Sequence, residues 1–318
     1  MPVDTSADIP LIDFAPFLTG DRQSQQQVAQ AIFQACHKVG FLYLKNHGIP
    51  QTAIDRTFEE SCTFFALPLA MKQQVAWSSA SSNQGYVGTE RERLDETRPG
   101  DLKEAFNIGK ALTEDSRPDA KSAFNIWPSD CPEFRHTIST FFDQCTVAAE
   151  SLFRAFAIAL SMPADYFVTC HQNHEYTLRL LHYPPLTSPP KLGQLRAGTH
   201  SDYGTLTLLF QDDVGGLEVL NTQGNWITAP TIPGAILVNT GDLTQRWSND
   251  VFRSTQHRVA LPQGEKVHCD RYSIAFFCEP DADTSIVCLP SCHSQENPPK
   301  YLPVNARDYL LSRLQATY

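Results

Sequence analysis

His200-Ser201-Asp202 sets an imidazole and a carboxylate two residues apart. On an extended strand, residues i and i+2 project to one face, so both donors could reach a single metal ion. The pairing carries little weight alone. Ten His and 21 Asp in 318 residues give about 0.7 chance occurrences of His-x-Asp. A second copy does stand at His268-Cys269-Asp270. The flanks separate the two. The first follows Arg196-Ala197-Gly198-Thr199 and leads into the strand-like run Thr205-Leu206-Thr207-Leu208-Leu209-Phe210. The second follows a polar turn at 262–267 and has only His293 beyond it.

A third donor, His257, comes 55 residues after Asp202 and enters another short apolar run. Two imidazoles and one carboxylate on one face form the facial triad of non-haem iron(II) sites, with positions left open for cosubstrate and dioxygen. Neutral pH supplies the states such ligands need, unprotonated imidazole and ionised carboxylate. Arg271-Tyr272-Ser273 follows His257 by 14 residues. Arg271 and Ser273 share a strand face by the same two-residue period. A guanidinium fork beside a hydroxyl is suited to gripping a carboxylate. A lone Arg-x-Ser is usually a surface pair; its place after the three metal donors gives it the carboxylate-binding reading.

These groups need elements to hold them. Ile9-Pro10-Leu11-Ile12-Asp13 suits an edge strand, where Pro is tolerated. Residues 24–38 read as a helix stopped by Gly40, and 41–44 as a strand closed by Asn46-His47-Gly48. His47 reads as a turn or packing residue. A second helix is expected over 53–65, and Pro68 opens a third. Residues 78–104 are polar and read as one long loop, a place where substrate choice would lie. From Pro132 to about Leu160, Phe134, Ile138, Phe141, Cys145, Ala148, Leu152, Phe156 and Ala159 recur at gaps of three and four. That is the stripe of a core-facing helix. After residue 175, short β-rich runs at 176–183, 205–210, 217–220, 226–228, 235–239 and 272–278 alternate with turn residues. They indicate a sandwich or barrel, with a closing helix at 305–314.

Composition is ordinary for a globular chain, and the net charge of -10 argues against nucleic acid or an anionic membrane as partner. No apolar run approaches the roughly 18 residues of a spanning helix. Met1–Asp8 lacks the charged and apolar regions of a signal peptide. Nine scattered cysteines without a Cys-x-x-Cys pair suggest reduced thiols in a cytoplasmic protein. The Cys288 and Cys292 pair is read as neither zinc site nor redox centre.

In combination these features resemble the isopenicillin N synthase-like branch of the 2-oxoglutarate/Fe(II)-dependent dioxygenases. The resemblance covers nearly the whole chain. Ile9–Asp13 and Gly40–Gly48 are similar to the family's N-terminal signature, and Asp101–Gly109 to its central one. Gly215–Val219 and Val238–Asp242 match its barrel segments. The family implies an α+β fold with a mainly β core, a double-stranded β-helix (jelly roll) flanked by N-terminal and central helices. It implies an N-terminal region over 1–120 and a jelly-roll region over 121–318, packed as one unit. It implies Fe(II) on His200, Asp202 and His257, and O2 as oxidant. Arg271, Ser273 and Tyr183 would hold 2-oxoglutarate, with ascorbate as a candidate reductant. Phe106, Phe276 and Phe277 become candidates for the substrate pocket, although strand alternation lets only some of them face inward. The sequence departs from the family at Leu181, where Asn is common, and at the following His182, which reads as a satisfied or exposed residue.

The implied reaction converts 2-oxoglutarate to succinate and carbon dioxide while a C–H bond of a small molecule is oxidised, by default hydroxylated. Asp202 fills the position that related halogenases leave open for chloride, which favours hydroxylation, desaturation or ring closure. Three other readings are weighed against this one. They are an iron oxidase of the same branch without 2-oxoglutarate, a non-catalytic jelly-roll binding protein, and a zinc hydrolase. A monomer is expected, and the substrate is open.

Overall fold

The computed structural model describes residues 9–80, 82–95, 97–110, 125–129 and 131–317. The reading of Met1–Asp8 lies outside them. Eight helices are named here: α1 (Ala15–Thr19), α2 (Arg22–Lys38), α3 (Gln51–Phe65), α4 (Leu69–Gln73), α5 (Pro132–Ala159), α6 (Tyr166–Thr169), α7 (Asp242–Trp247) and α8 (Ala306–Thr317). Local chemistry sets their ends. Asp21 caps α2 by accepting the Ser24 N–H at 2.9 Å, which satisfies one orphan donor of the first turn. Gly40 ends the same helix at φ +76°, and a Cβ there would lie 2.5 Å from the Arg253 carbonyl oxygen. Only glycine suits that turn. Pro132 occupies the first turn of α5, where its missing N–H costs nothing.

The first strands are β1 (Leu11–Asp13), β2 (Phe41–Lys45), β3 (Gly85–Val87), β4 (Glu104–Ile108), β5 (Thr177–Tyr183) and β6 (Ala197–His200). Then come β7 (Leu206–Gln211), β8 (Leu217–Leu220), β9 (Trp226–Thr228), β10 (Ala235–Thr240), β11 (His257–Val259) and β12 (Arg271–Cys278). An eight-stranded sheet runs β1-β2-β10-β7-β12-β5-β4-β3, and a four-stranded sheet runs β6-β11-β8-β9. All neighbours are antiparallel except β1 with β2. Strands from the first 110 residues thus flank strands from the last 150 in one sheet, beside Phe41↔Asn239 and Phe106↔Leu180 pairings.

The large sheet has two different faces. Its outer face packs under the helices in the larger core, where Phe141 meets Phe210 at 5.1 Å and Phe142 meets Phe276 at 5.2 Å between ring centroids. Its inner face joins the small sheet in a second cluster that includes Phe41, Tyr43, Leu181, Tyr183, Ala197, Leu217, Leu237, Val259 and Ala275. Two apolar faces closing on each other is the jelly-roll solution to burying both.

One expectation for this region fails. Residues 78–104 are not a single loop: Gly85–Val87 is a fully buried edge strand paired to β4, which itself begins at Glu104. Their polar composition misled because Gln84, Glu92, Asp101 and Lys103 are buried inside, where the same residue types usually mark solvent.

Candidate active site

The three metal-donor candidates meet between the sheets. Pairing of β6 with β11 sets His257 directly opposite His200, with ring centroids 4.3 Å apart. The register shifts between His257 and Val259, an irregularity of the kind that re-aims side chains beside active sites. Asp202 is not on the strand as the two-residue period implied. β6 ends at His200, and Asp202 follows in the turn leading to β7. A backbone bond from the Asp242 N–H to its carbonyl oxygen, 2.8 Å, helps fix that turn. The ligating atoms all lie within 4.8 Å of one another, the one such cluster among the described residues.

Their hydrogen bonds suit a divalent cation. His200 Nδ1 donates to the Gly198 carbonyl at 2.8 Å and His257 Nδ1 to the Thr255 carbonyl at 3.1 Å. Each bond fixes the tautomer that leaves Nε2 with a free lone pair. Burial, aided by the neighbouring His257, pushes the His200 pKa well below the ordinary imidazole value, which favours a free lone pair. Asp202 Oδ2 accepts from the Thr207 hydroxyl at 2.6 Å and the Asn239 amide at 2.7 Å. Oδ1 is left facing the imidazoles, 3.6 Å from His257 Nε2 and 3.9 Å from His200 Nε2. Burial alone would raise the Asp202 carboxyl, but the two imidazoles and these two donors outweigh it and hold it low. Two imidazoles with Nε2 turned to one carboxylate oxygen are a donor set that fits iron(II).

A second polar group lies along β12. Arg271, Ser273, Ala275 and Phe277 all line the cavity, as alternation along a strand requires. Arg271 is 1% exposed. The partners of its guanidinium are all neutral: the Gly215 carbonyl at 2.7 Å, Gln211 Oε1 at 3.2 Å and Ser273 Oγ at 3.4 Å. Tyr183, its cross-strand partner on β5, lies under the guanidinium with 4.6 Å to the ring centroid. A buried cation among neutral partners is stable chiefly when an anion completes it, so the arrangement fits a carboxylate of 2-oxoglutarate. Leu181 also lines this end, so the amide common in the family is replaced by an apolar side chain.

The three phenylalanines divide. Phe277 lines the cavity. Phe106 does not; it is fully buried in the helix-side core, 4.7 Å from Phe64 and 5.5 Å from Phe134. Phe276 packs against Phe142 and Tyr176 on the same outer face. Both side chains have the opposite strand parity to the cavity-lining residues.

Other sequence candidates take structural places. His182 is buried and satisfied, with Nδ1 2.7 Å from Glu104 and Nε2 2.6 Å from Asp270. That bond engages Asp270 of the second His-x-Asp, while His268 ends a one-turn helix outside any metal-competent cluster among the described residues. His47 Nδ1 accepts the Ile49 N–H at 3.2 Å, a turn role. All nine cysteines are free thiols.

Several cavity residues were not singled out individually in the sequence, although three of them fall in the 78–104 stretch expected to govern substrate choice. Asn83, Glu92, Lys103, Arg179, Tyr203, Leu314 and Thr317 line its far end, brought there by loops, by β5 and by α8. Lys103 pairs with Asp101 and, at 3.2 Å, with Glu92, which also meets Arg179. Tyr203 shares a 2.7 Å hydrogen bond with Thr317 of α8. Asn239 and Thr207, which fix Asp202, were legible only as members of strands.

A jelly roll with a His-Asp-His cluster and a buried arginine defines a class, and comparison with known proteins agrees. Residues 9–130 match the model of the "non-haem dioxygenase in morphine synthesis N-terminal" region, and residues 169–280 match the 2OG-Fe(II) oxygenase superfamily. The chain belongs to that superfamily and is a 2-oxoglutarate-dependent dioxygenase that uses Fe(II), 2-oxoglutarate and O2. It is 32% identical to the 2-oxoglutarate-Fe(II) type oxidoreductase hxnY of Emericella nidulans, over 97% of this chain and 90% of that protein. It is 34% identical to the proline hydroxylase buaE of Petromyces alliaceus, over 98% and 100%. A full-length Neurospora crassa protein, crystallised in complex with alpha-KG and 5-formyluracil, superposes with a TM-score of 0.87 at 40% identity, covering 97% of this chain and 96% of that one. A further crystal of the same Neurospora protein holds alpha-KG and thymine.

Proposed function

We propose that the chain hydroxylates the 5-methyl group of a pyrimidine base of the thymine class. The observation that carries this reading is the far end of the cavity, where flat rings and imide-complementary donors sit beside the metal donors. Phe277 and Tyr203 supply planar apolar surface for a heteroaromatic ring. Asn83 Oδ1 is engaged by Trp77 Nε1 at 3.3 Å and Asn107 Nδ2 at 3.2 Å, which leaves its own amide N–H groups to donate to a ring carbonyl. The likeness to the Neurospora protein, crystallised with thymine and with 5-formyluracil, supports the same class. Thymine has a single sp³ carbon, its methyl, and 5-formyluracil carries that carbon at the aldehyde level.

His200, Asp202 and His257 are assigned to iron(II), Arg271, Ser273 and Tyr183 to 2-oxoglutarate, and Phe277 to the substrate. Bound iron supplies the oxidation: thymine, 2-oxoglutarate and O2 become 5-hydroxymethyluracil, succinate and CO2. The protein's own work is placement. Thr207 and Asn239 orient Asp202, and the Gly198 and Thr255 carbonyls orient the imidazoles. Arg271 and Ser273 anchor the cosubstrate carboxylate at one end of β12, and Phe277 meets the substrate toward the other. Leu181, Leu217, Val259 and Ala275 keep water from the space between. Strands of residues 1–120 and 121–318 share one sheet, which supports treating the two regions as a single working unit. A cytoplasmic monomer acting on a diffusible base is the accompanying reading; no helix among the described residues is long and apolar enough to cross a membrane.

The test is turnover of the purified protein with Fe(II), 2-oxoglutarate, air and thymine. One equivalent of succinate per 5-hydroxymethyluracil is expected. Succinate release that thymine does not stimulate would refute the substrate class.

A further inference from the structure

Glu279 follows β12 and continues its inward series after Phe277, so it too lines the cavity. Three acidic residues line that space. Glu92 is paired with Lys103 at 3.2 Å and with Arg179, and Asp202 is held by Thr207 and Asn239. Glu279 alone of the three leaves a buried carboxyl oxygen, Oε2, with neither a hydrogen-bond nor an ion-pair partner. A buried polar atom left unpaired is costly and rare in a folded protein. When it stands in a ligand cavity, the missing partner is naturally the ligand.

The charged and amide groups near Glu279 are engaged or offer donors. Tyr203 is bonded to Thr317, Arg179 meets Glu92, and Asn83 has its oxygen committed and its N–H groups to give. A pyrimidine imide presents both carbonyl acceptors and ring N–H donors. The donors of the site answer the carbonyls, and the unpaired carboxyl oxygen of Glu279 is placed to answer a ring N–H.

We propose that Glu279 is a specificity-determining residue whose Oε2 accepts a hydrogen bond from one ring N–H of the substrate, so that a base substituted at that nitrogen is rejected. This rests on the pyrimidine reading above. A site built to bond an N–H discriminates sharply against the analogue that lacks it, because the analogue leaves the protein group buried and unpaired. Free base would be accepted where the matching N-substituted base is not.

The experiment measures binding of thymine, 1-methylthymine and 3-methylthymine to the anaerobic holoenzyme with Fe(II) and 2-oxoglutarate. Wild type, Glu279→Gln and Glu279→Leu are compared by calorimetric titration, after thermal melting has verified their folding. In wild type one methylated base, and only one, should bind at least about tenfold more weakly than thymine. Glu279→Leu should bind thymine about tenfold more weakly and lose that discrimination, whereas Glu279→Gln, which keeps an acceptor of the same reach, should retain both. Discrimination that persists in Glu279→Leu overturns the assignment. So does wild type that binds both methylated bases as well as thymine, a result that stands even if the leucine variant does not fold. Wild type that ignores thymine but binds 2-pyridone or hypoxanthine in a Glu279-dependent manner overturns the pyrimidine reading and upholds Glu279. Binding of none of these N–H heterocycles overturns both.

Discussion

Replacing Arg271 by Leu should separate cosubstrate binding from folding. The guanidinium is buried, its Nε is anchored on Gly215 at 2.7 Å, and its other two nitrogens reach only Gln211 and Ser273. Asp212 acts on that charge only at longer range, so no carboxylate is bonded to it until the cosubstrate arrives. Two charge-assisted hydrogen bonds to that carboxylate contribute about 1.5–3 kcal/mol each, so their loss weakens 2-oxoglutarate binding by about a hundredfold or more. Thermal melting reads this directly. At a ligand concentration of about 100 times the wild-type Kd, 2-oxoglutarate should stabilise the native protein by about 2.7 kcal/mol, and after a hundredfold loss by about 0.4 kcal/mol. For a chain of this size that is a Tm rise of roughly 5 °C falling to about 1 °C. Without ligand the leucine variant should melt near wild type, because removing a buried cation that no carboxylate bonds offsets the lost bonds to Gly215 and Gln211. A variant that still gains the full ligand-induced rise would refute the assignment of Arg271 to the cosubstrate.

Asn239→Ala removes one of two donors on Asp202 Oδ2 and should weaken Fe(II) binding about tenfold or more; anaerobic metal titration checks this, and an unchanged affinity would deny the role. His171 is buried, its Nδ1 2.6 Å from the Phe167 carbonyl, and burial pushes its pKa down to about 3. The unfolded chain binds that proton below the ordinary value of 6.5, so protons favour unfolding as pH falls. The loss from about pH 6.5 to about pH 5 should be about 1.6 kcal/mol. Urea unfolding of His171→Gln should show a shallower fall over that range; an equally steep one would show that His171 is not its source. Phe106→Ala should cost about 3–5 kcal/mol of stability with 2-oxoglutarate affinity intact. A stable variant that had lost substrate binding would return Phe106 to the pocket.

Legibility in the sequence depended on how each residue reaches the site. The Arg271–Ser273 pair was readable because one strand period fixes which way both residues point, and His257 because it follows Asp202 as a third donor entering another apolar run. Asp202 was identified by residue type, but for a reason the fold does not use: it sits in the turn after β6, and the cross-strand pairing of His200 with His257 does the gathering. Phe276 and Phe277 could have been sorted by parity with Arg271 and Ser273. Phe106 could not, since its facing depends on β4 joining the sheet beside β5, a long-range pairing that no local pattern announces. Asn83, Lys103 and Glu92 were hidden for a related reason. Their polarity looked like a solvated loop, and only tertiary pairing turns them into the wall of a cavity.

The antiparallel match of β2 with β10, from Phe41 opposite Asn239 to Lys45 opposite Ala235, sets a schedule for biosynthesis. The hydrophobic segment Phe41-Leu42-Tyr43-Leu44 leaves the ribosome nearly 200 residues before its partner. At about 5–20 residues per second, it waits for about 10–40 s with the backbone edge that faces β10 unsatisfied, since only β1 on its other edge has been made. Chaperone demand should therefore concentrate on nascent chains that end before residue 235, and stalling there should yield aggregates in place of a stable fragment.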